Sequence, residues 1–376
     1  MRNFLLFSTI FLFSSCVEHN MQMEVKHIRQ RGQPFSYTAY KPIFSIDKYI
    51  DKAFEYVYFT TADNNKLVKA SAIYLLPKNS KNKIVVLAHP VTGIGKSCGI
   101  EGNLYQWAIS NYIQALLKNH YRVILPNYRG LGLSDTSHRF LNANDAAMDV
   151  LDAIQASIKL FELDVDIPIV LWGYSQGGQA TQRASEIVSF YAPSLNILGS
   201  IQNSAPLILS SALEDFIDKK INVFHYMLIP YMLSGIIQTT PELKPLEETI
   251  FNNKLQILST LCSFSAPLSL VAGNFSLDIS RISERQLNII RSYFVAQDAP
   301  KYHTNIPLLL IYGENDEVVQ KRWRENLMEK FCEKKLFVHY IERKGGHMSH
   351  EDINISLPWI EDRFSNIPAK NDCLHH

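Results

Sequence analysis

The sequence predicts an α/β protein with the α/β class's mostly parallel central sheet, flanked by helices and interrupted by a helical cap insertion. Three observations carry that expectation. Short apolar runs recur without polar alternation, amphipathic stretches separate them, and residues 205–305 are too many to be a mere connection in a compact domain. Strands apolar on both faces belong inside a parallel sheet covered from both sides, and strand–helix alternation builds such a sheet.

The chain opens MRNFLLFSTIFLFSSC, one arginine, an apolar run from Phe4 to Phe13, then Ser14-Ser15-Cys16. That order reads as an export signal over residues 1–16. Small residues directly before a cysteine also resemble a bacterial lipobox, which would leave Cys16 lipidated and the chain attached to a membrane. An ordinary cleaved signal and a retained anchor are the alternatives. Each places the protein outside the cytoplasm, as a membrane-anchored lipoprotein or a secreted or periplasmic protein. Residues 17–50 are polar, contain Pro and Tyr without a sustained period, and read as an N-terminal tether or arm.

Order is expected from residue 51 onward. EYVYFTTADNNKLVKASAIYLLP, residues 55–77, holds two strand-like runs around the turn signal Asp63-Asn64-Asn65, an antiparallel hairpin. The buried-strand runs follow at 83–89, 121–128, 167–175, 196–204, 306–315 and 335–342. Between them, residues 104–119, 142–161, 177–192 and 318–335 place apolar side chains near a 3.6 period, as helices packed on a sheet do. The core therefore comprises 51–204 and 306–376, and 205–305 is a helical cap or lid. Its stretch INVFHYMLIPYMLSGII is interrupted by His225, Pro230 and Gly235 and is short for a bilayer crossing; it suits a cap core, an acyl-binding wall, or both.

Bulk composition narrows the function classes. With 47% hydrophobic and 19% charged residues over 376 positions, the chain can bury a full core and is not a disordered sequence. Lys and Arg total 37 against 36 Asp and Glu, a formal charge of +1, so no global field recruits nucleic acid or an anionic surface. An oxidising compartment turns the remaining cysteines, Cys98, Cys262, Cys332 and Cys373, toward disulfides. Sequence alone does not choose among their pairings. The preferred one joins Cys332, which closes the last large helical pattern, to Cys373 in a tail that needs anchorage, leaving Cys98 for Cys262; buried free thiols are the alternative.

The chemistry centres on Gly173-Tyr174-Ser175-Gln176-Gly177, a G-x-S-x-G where a buried strand passes straight into a helix. That setting is the nucleophile elbow: a serine on a sharp, strained turn, with glycines two residues either side because bulk there would collide with neighbouring elements. A serine hydroxyl needs a base and the base an orienting acid, both following the serine on loops after later strands. Asp316, just past the 306–315 run, is the expected acid, with Glu314 second. His347, behind Gly345-Gly346 after the last run, is the expected base, with His350 second. His225, His303, His375 and His376 lie outside the required loop, and the His347–His350–Glu351 spacing matches none of the usual helical metalloprotease orders, so no metal is expected. The oxyanion donors should be backbone N–H groups, one from Gln176 and one from Val91, with Thr92 next in line because Pro90 has no N–H.

The same loop carries a rival reading. PVTGIGKS, residues 90–97, departs from the phosphate-cradling G-x-x-x-x-G-K-S by its proline at the first glycine position, and no later strand ends in the aspartate expected to help hold magnesium. No nucleotide, cofactor or metal is expected. Asn127-Tyr128-Arg129-Gly130-Leu131-Gly132 reads as a structural strand-end turn.

Taken together, G-Y-S-Q-G-G at 173–178, the loop H-P-V-T-G-I-G-K-S-C at 89–98 and the insertion before Asp316 make the chain resemble the α/β hydrolases, and among them the secretory lipases of the lipase A type, over about residues 40–365. The resemblance implies Ser175 as nucleophile, His347 as base, Asp316 as acid and Gln176 as an oxyanion donor. The activity it implies is cleavage of small-molecule or lipid esters through an acyl-enzyme. The readings held beside it are an exported serine peptidase of the same fold, with Glu214, Asp215 or Asp218 holding a substrate ammonium, and a non-catalytic binding protein.

Overall fold

The computed structural model describes residues 23–24, 30–41, 46–104, 106–251, 262 and 281–375. The export signal and Cys16 lie outside the described residues. One ten-stranded sheet runs through the molecule in the order β1-β2-β3-β4-β6-β5-β7-β8-β9-β10. Its strands are β1 (Met23–Glu24), β2 (Pro34–Ala39), β3 (Ile50–Thr61), β4 (Leu67–Pro77), β5 (Ile84–Ala88), β6 (Arg122–Pro126), β7 (Ile169–Tyr174), β8 (Ile197–Asn203), β9 (Leu308–Gly313) and β10 (Val338–Arg343). From β6 across to β10 the neighbours are parallel; from β1 to β4, and between β4 and β6, they are antiparallel.

The apolar runs become the central strands for the reason their composition gives. Every residue of β5, β7 and β9 is buried, so neither face meets water. On one face Ile84, Val86, Ile169 and Leu171 pack under α2 (Ala143–Leu160) and α3 (Gln176–Tyr191); on the other Val85, Leu87, Val170 and Trp172 pack against α1 (Trp107–Lys118) and the C-terminal helix (Glu351–Phe364). The hairpin forms at its turn signal, with Thr61 opposite Leu67.

Part of the stretch read as a tether belongs to the sheet. Residues 34–39 form β2, which lies between β1 and β3, with Tyr37 opposite Met23 on one side and Tyr56 on the other. From Pro34 to Tyr37 buried and half-buried residues alternate, and Pro34 begins the strand, where a missing N–H costs no ladder bond. The short alternation beside prolines hid it. Arg31 anchors the entry, donating to the Tyr191 carbonyl at 2.5 Å and pairing with Asp152 at 3.4 Å.

Between β8 and β9 the described residues form α4 (Leu209–Ile217), α5 (Val223–Thr239), α6 (Pro245–Phe251) and α7 (Glu284–Gln297). Leu213, Phe216, Met232, Ile236 and Phe294 from three of them share an apolar cluster with Val91, Ile94, Phe140 and Leu141 of the core. Among the described residues no helix is long and apolar enough to cross a membrane. Past β9, the long helix expected over 318–335 is instead a 3-10 turn at Lys321–Arg324 followed by α8 (Leu327–Glu333), and α9 (Glu351–Phe364) closes the chain. Tertiary demands break the helical period there: Trp323 and Arg324 are buried, and Arg324 donates inward to the Gly313 carbonyl at 2.6 Å.

Disulfides join Cys98 to Cys262 and Cys332 to Cys373. The first ties the loop after β5 to the insertion, where Gly93 also bridges Cys262; the second fastens the tail to α8.

Candidate active site

Ser175 sits between the last residue of β7 and the first of α3, at φ 54° and ψ −117°. That left-handed backbone is unfavourable for a residue with a Cβ and is sustained by what surrounds it. Its N–H donates to the Asn203 carbonyl at 2.8 Å, and its own carbonyl accepts from Gly178 N–H at 2.9 Å. The flanking glycines are a packing necessity: a Cβ on Gly173 would stand 2.1 Å from the Gly177 carbonyl oxygen, and one on Gly177 would stand 1.9 Å from the carbonyl oxygen of Ala88. Strand β5 passes so close under the turn that only hydrogen fits.

Asp316 lies on the loop after β9 and His347 on the loop after β10, the adjacent parallel strand. Ser175 Oγ is 3.0 Å from His347 Nε2, and His347 Nδ1 is 3.0 Å from each carboxylate oxygen of Asp316. An ionised carboxylate only accepts, so Nδ1 carries the proton and Nε2 is left to accept from the serine hydroxyl. Burial pushes the Asp316 carboxyl up, but His347 beside it and the N–H groups of Val319 and Val318, donating at 2.8 and 2.9 Å, outweigh burial and hold it below its ordinary value. Asp316 is therefore a carboxylate at neutral pH.

The second choices occupy other places. Glu314 is exposed and takes a hydrogen bond from Asn315, and His350 is exposed at the start of α9. His303 contacts the Lys334 carbonyl on the surface. Glu317, next to Asp316, accepts the His347 backbone N–H at 3.1 Å.

An apolar slot opens beside the serine, lined by Ser175, Gln176 and Val91 and walled by α4, α5 and the loop after Asp316. Leu213, Phe216, Met232, Phe294 and Trp323 supply its bulk. Val91 stands on this wall, whereas Thr92 is fully buried behind it. His225 also borders the slot without offering it a polar atom: Nδ1 accepts from Asn222 N–H at 3.1 Å, so Nε2 donates to the Val318 carbonyl at 2.7 Å. Burial keeps this imidazole below its ordinary value and hence neutral.

Behind Gln176 is a contact that no local pattern announces. His138 Nδ1 donates to the Arg129 carbonyl at 2.9 Å, which leaves Nε2 to accept from the Gln176 side-chain amide at 3.2 Å. The turn at 127–132 packs structurally, with Tyr128 donating to the His89 carbonyl and Arg129 paired to Asp149 at 2.8 Å. Loop 90–97 packs Val91 and Ile94 into the insertion's apolar cluster. The acidic residues considered for an ammonium site are spent on surface pairs: Glu214 with Arg291, Asp215 with Arg322, Asp218 with Lys220. Among the described residues no cluster of His, Cys, Asp and Glu suits a metal ion.

Such a constellation, a strained serine, an oriented imidazole and a buried carboxylate beside an apolar slot, is equipped for nucleophilic acyl transfer. Candida antarctica lipase A superposes with a TM-score of 0.72 at 18% identity, covering 92% of this chain and 84% of that one. The rice cell wall degrading esterase LipA of Xanthomonas oryzae gives 0.67 at 16% identity, with 90% and 97% covered. At such identities these show the α/β-hydrolase fold. In sequence, the secreted triacylglycerol lipase LIP4 of Malassezia globosa is 25% identical over 276 residues, and lipase A of Arthroderma benhamiae is 23% identical over 276. Those matches take in 68% and 69% of this chain but only 58% and 56% of the relatives' own length. The profile of the secretory lipase family matches residues 104–372, from α1 through the serine, the insertion, the acid and the histidine to the tail, and the chain belongs to that family.

Proposed function

We propose that the protein is a carboxylic ester hydrolase, a lipase or esterase, in which Ser175 is the nucleophile, His347 the general base and acid, and Asp316 the orienting carboxylate. The observation that carries this is the unbroken relay from Asp316 through His347 to Ser175, at 3.0 Å per step, opening on an apolar slot. His347 Nε2 takes the serine proton as Oγ attacks the ester carbonyl. The oxyanion of the tetrahedral intermediate is received by the backbone N–H groups of Gln176 and Val91, whose residues flank Ser175 on the slot wall. The imidazolium then protonates the leaving alcohol and an acyl-serine remains. Water, deprotonated by the same imidazole, frees the acid and restores the hydroxyl.

The slot's hydrocarbon lining suits an acyl chain, so the proposed substrates are lipid esters, with residues 205–305 acting as cap over the chain. The ion-paired state of Glu214, Asp215 and Asp218 leaves the peptidase reading without its ammonium site. The secreted relatives support export; lipidation at Cys16 is not part of the proposal. Ser175→Ala should abolish hydrolysis of p-nitrophenyl esters and labelling by a fluorophosphonate while leaving the circular dichroism spectrum and melting temperature unchanged. Turnover persisting in that variant would remove the mechanism.

A further inference from the structure

The sequence ends β10 with Arg343 and begins α9 with Glu351-Asp352, and both Arg343 and Asp352 are buried, at 3% and 0% exposure. A buried arginine must find acceptors for all of its N–H groups or pay heavily in lost solvation. Arg343 finds them in two places. Nε and Nη2 form a fork with the two oxygens of Asp352, Nη2 at 3.0 Å. The remaining N–H groups reach into the loop between β10 and α9: Nη1 donates to the carbonyls of Lys344 at 3.1 Å and Gly346 at 2.6 Å, and Nη2 to that of His347 at 3.1 Å.

Asp352 completes the enclosure from the far side. It accepts from Ser349 N–H at 3.1 Å and from the Tyr112 hydroxyl at 3.3 Å. One ion pair thus holds the histidine loop at 344, 346, 347 and 349. The loop needs such donors, because Gly345 bends it through φ 88° and its carbonyls at 344, 346 and 347 turn toward the guanidinium. Ser204 Oγ adds a further bond to the His347 carbonyl at 2.8 Å. There is no spare room nearby: a Cβ on Gly313 would stand 2.2 Å from the Gly346 carbonyl oxygen and 2.6 Å from Arg343 Nη1.

We infer that the buried Arg343–Asp352 pair is the positioning device of the proposed reaction, setting where His347 Nε2 stands relative to Ser175 by gripping the backbone of its loop. It rests on the reading of Ser175, His347 and Asp316 given above. The planar guanidinium is essential because it serves a carboxylate fork and three separate carbonyls at once. A lysine keeps the charge and part of the bond to Asp352, but its donors radiate from one atom and release the loop carbonyls. A displacement of His347 on the order of 1 Å costs roughly 10²-fold in rate without touching the substrate slot.

The test uses the full purified chain. Arg343→Lys should fold, by circular dichroism and melting, yet lower kcat on p-nitrophenyl butyrate by about 10²-fold per folded molecule, with KM within about threefold of wild type. The low-field NMR proton of His347 Nδ1–H bonded to Asp316, visible in wild type, should be lost or shifted. Should Arg343→Lys fail to fold, the charge-neutral pair Arg343→Gln/Asp352→Asn supplies the same measurement without a stranded charge. A folded variant whose kcat stays within about threefold and whose low-field proton is intact overturns the inference, as does a change in KM alone. His347→Ala separates the two levels. If it hydrolyses esters as wild type does, the triad reading itself fails, whereas an inactive His347→Ala beside an unimpaired Arg343→Lys refutes only the clamp.

Discussion

Asp316 accepts two backbone N–H groups and the imidazole proton, so its charge is held by bonds that an amide in its place would partly invert. Asp316→Asn presents an N–H toward His347 Nδ1 and favours the tautomer with the proton on Nε2, the atom that the proposed mechanism uses as base. We expect kcat to fall by about 10³- to 10⁴-fold with little change in melting temperature, measured on a soluble chromogenic ester. Gly177 makes a sharper structural demand, since a methyl there meets the Ala88 carbonyl at 1.9 Å and backbone cannot swing aside as a side chain would. Gly177→Ala should cost about 1–3 kcal/mol in urea unfolding and lose most ester hydrolysis, because relief of the clash must shift either the elbow or β5. A variant as stable and active as wild type would show that the close approach has slack.

The slot is an assembly of α4, α5, α7 and the loop past β9, and its dimensions belong to their packing. Leu213 on α4 projects into it. Leu213→Trp should shorten the accessible chain, lowering kcat/KM for a long-chain ester relative to an acetate ester by about tenfold or more while acetate hydrolysis survives, as a chain-length profile would reveal. An unchanged profile would place the acyl chain elsewhere. The tail is a separate element, fastened to α8 by Cys332–Cys373 across a sequence separation of 41. Cys373→Ser should lower stability by about 2–4 kcal/mol, read from urea midpoints at constant m, and leave kcat unaffected because the bridge lies away from the serine.

Stability as a function of pH gathers groups from across the fold. Burial lowers His89 and His138 to about 4, so below the ordinary histidine value of 6.5 the unfolded chain takes up protons that the folded chain refuses. Their contribution is complete above 6.5 and is lost as pH falls toward 4. Asp152 acts oppositely: burial raises it to about 6 against 3.8, so its folded form gains a proton first, and its contribution is present below 3.8 and disappears as pH rises through 6. Between pH 6 and 4 these slopes oppose each other. Asp152→Asn removes its share of the compensation, to which raised carboxyls such as Glu55 also contribute, so its stability should fall with acidification more steeply than wild type, by about 1 kcal/mol per pH unit across that window. Parallel curves from urea titrations at pH 4.5, 5.5 and 6.5 would show that Asp152 does not titrate there.

What residues 83–89, 167–175 and 306–315 became was decided locally: runs without polar alternation can satisfy water on neither face and enter the sheet wherever the chain leads them. Ser175 was likewise legible, because a glycine-bracketed serine at a strand-to-helix passage states its own steric requirement. Asp316 and His347 could be ranked from sequence by their order and their loops, but a 3.0 Å contact across 172 residues of chain is a property of β7, β9 and β10 lying in one sheet. The strand at 34–39 escaped notice because its pairing partners, not its composition, make it a strand, and the break at 321–326 because Trp323 and Arg324 answer to neighbours outside their own segment. Most of all, the grip of Arg343 on the histidine loop and of His138 on Gln176 exists only after folding. Periodicity records which side of an element avoids water; it holds no record of which distant donor will satisfy a buried carbonyl, and that choice belonged to the tertiary structure alone.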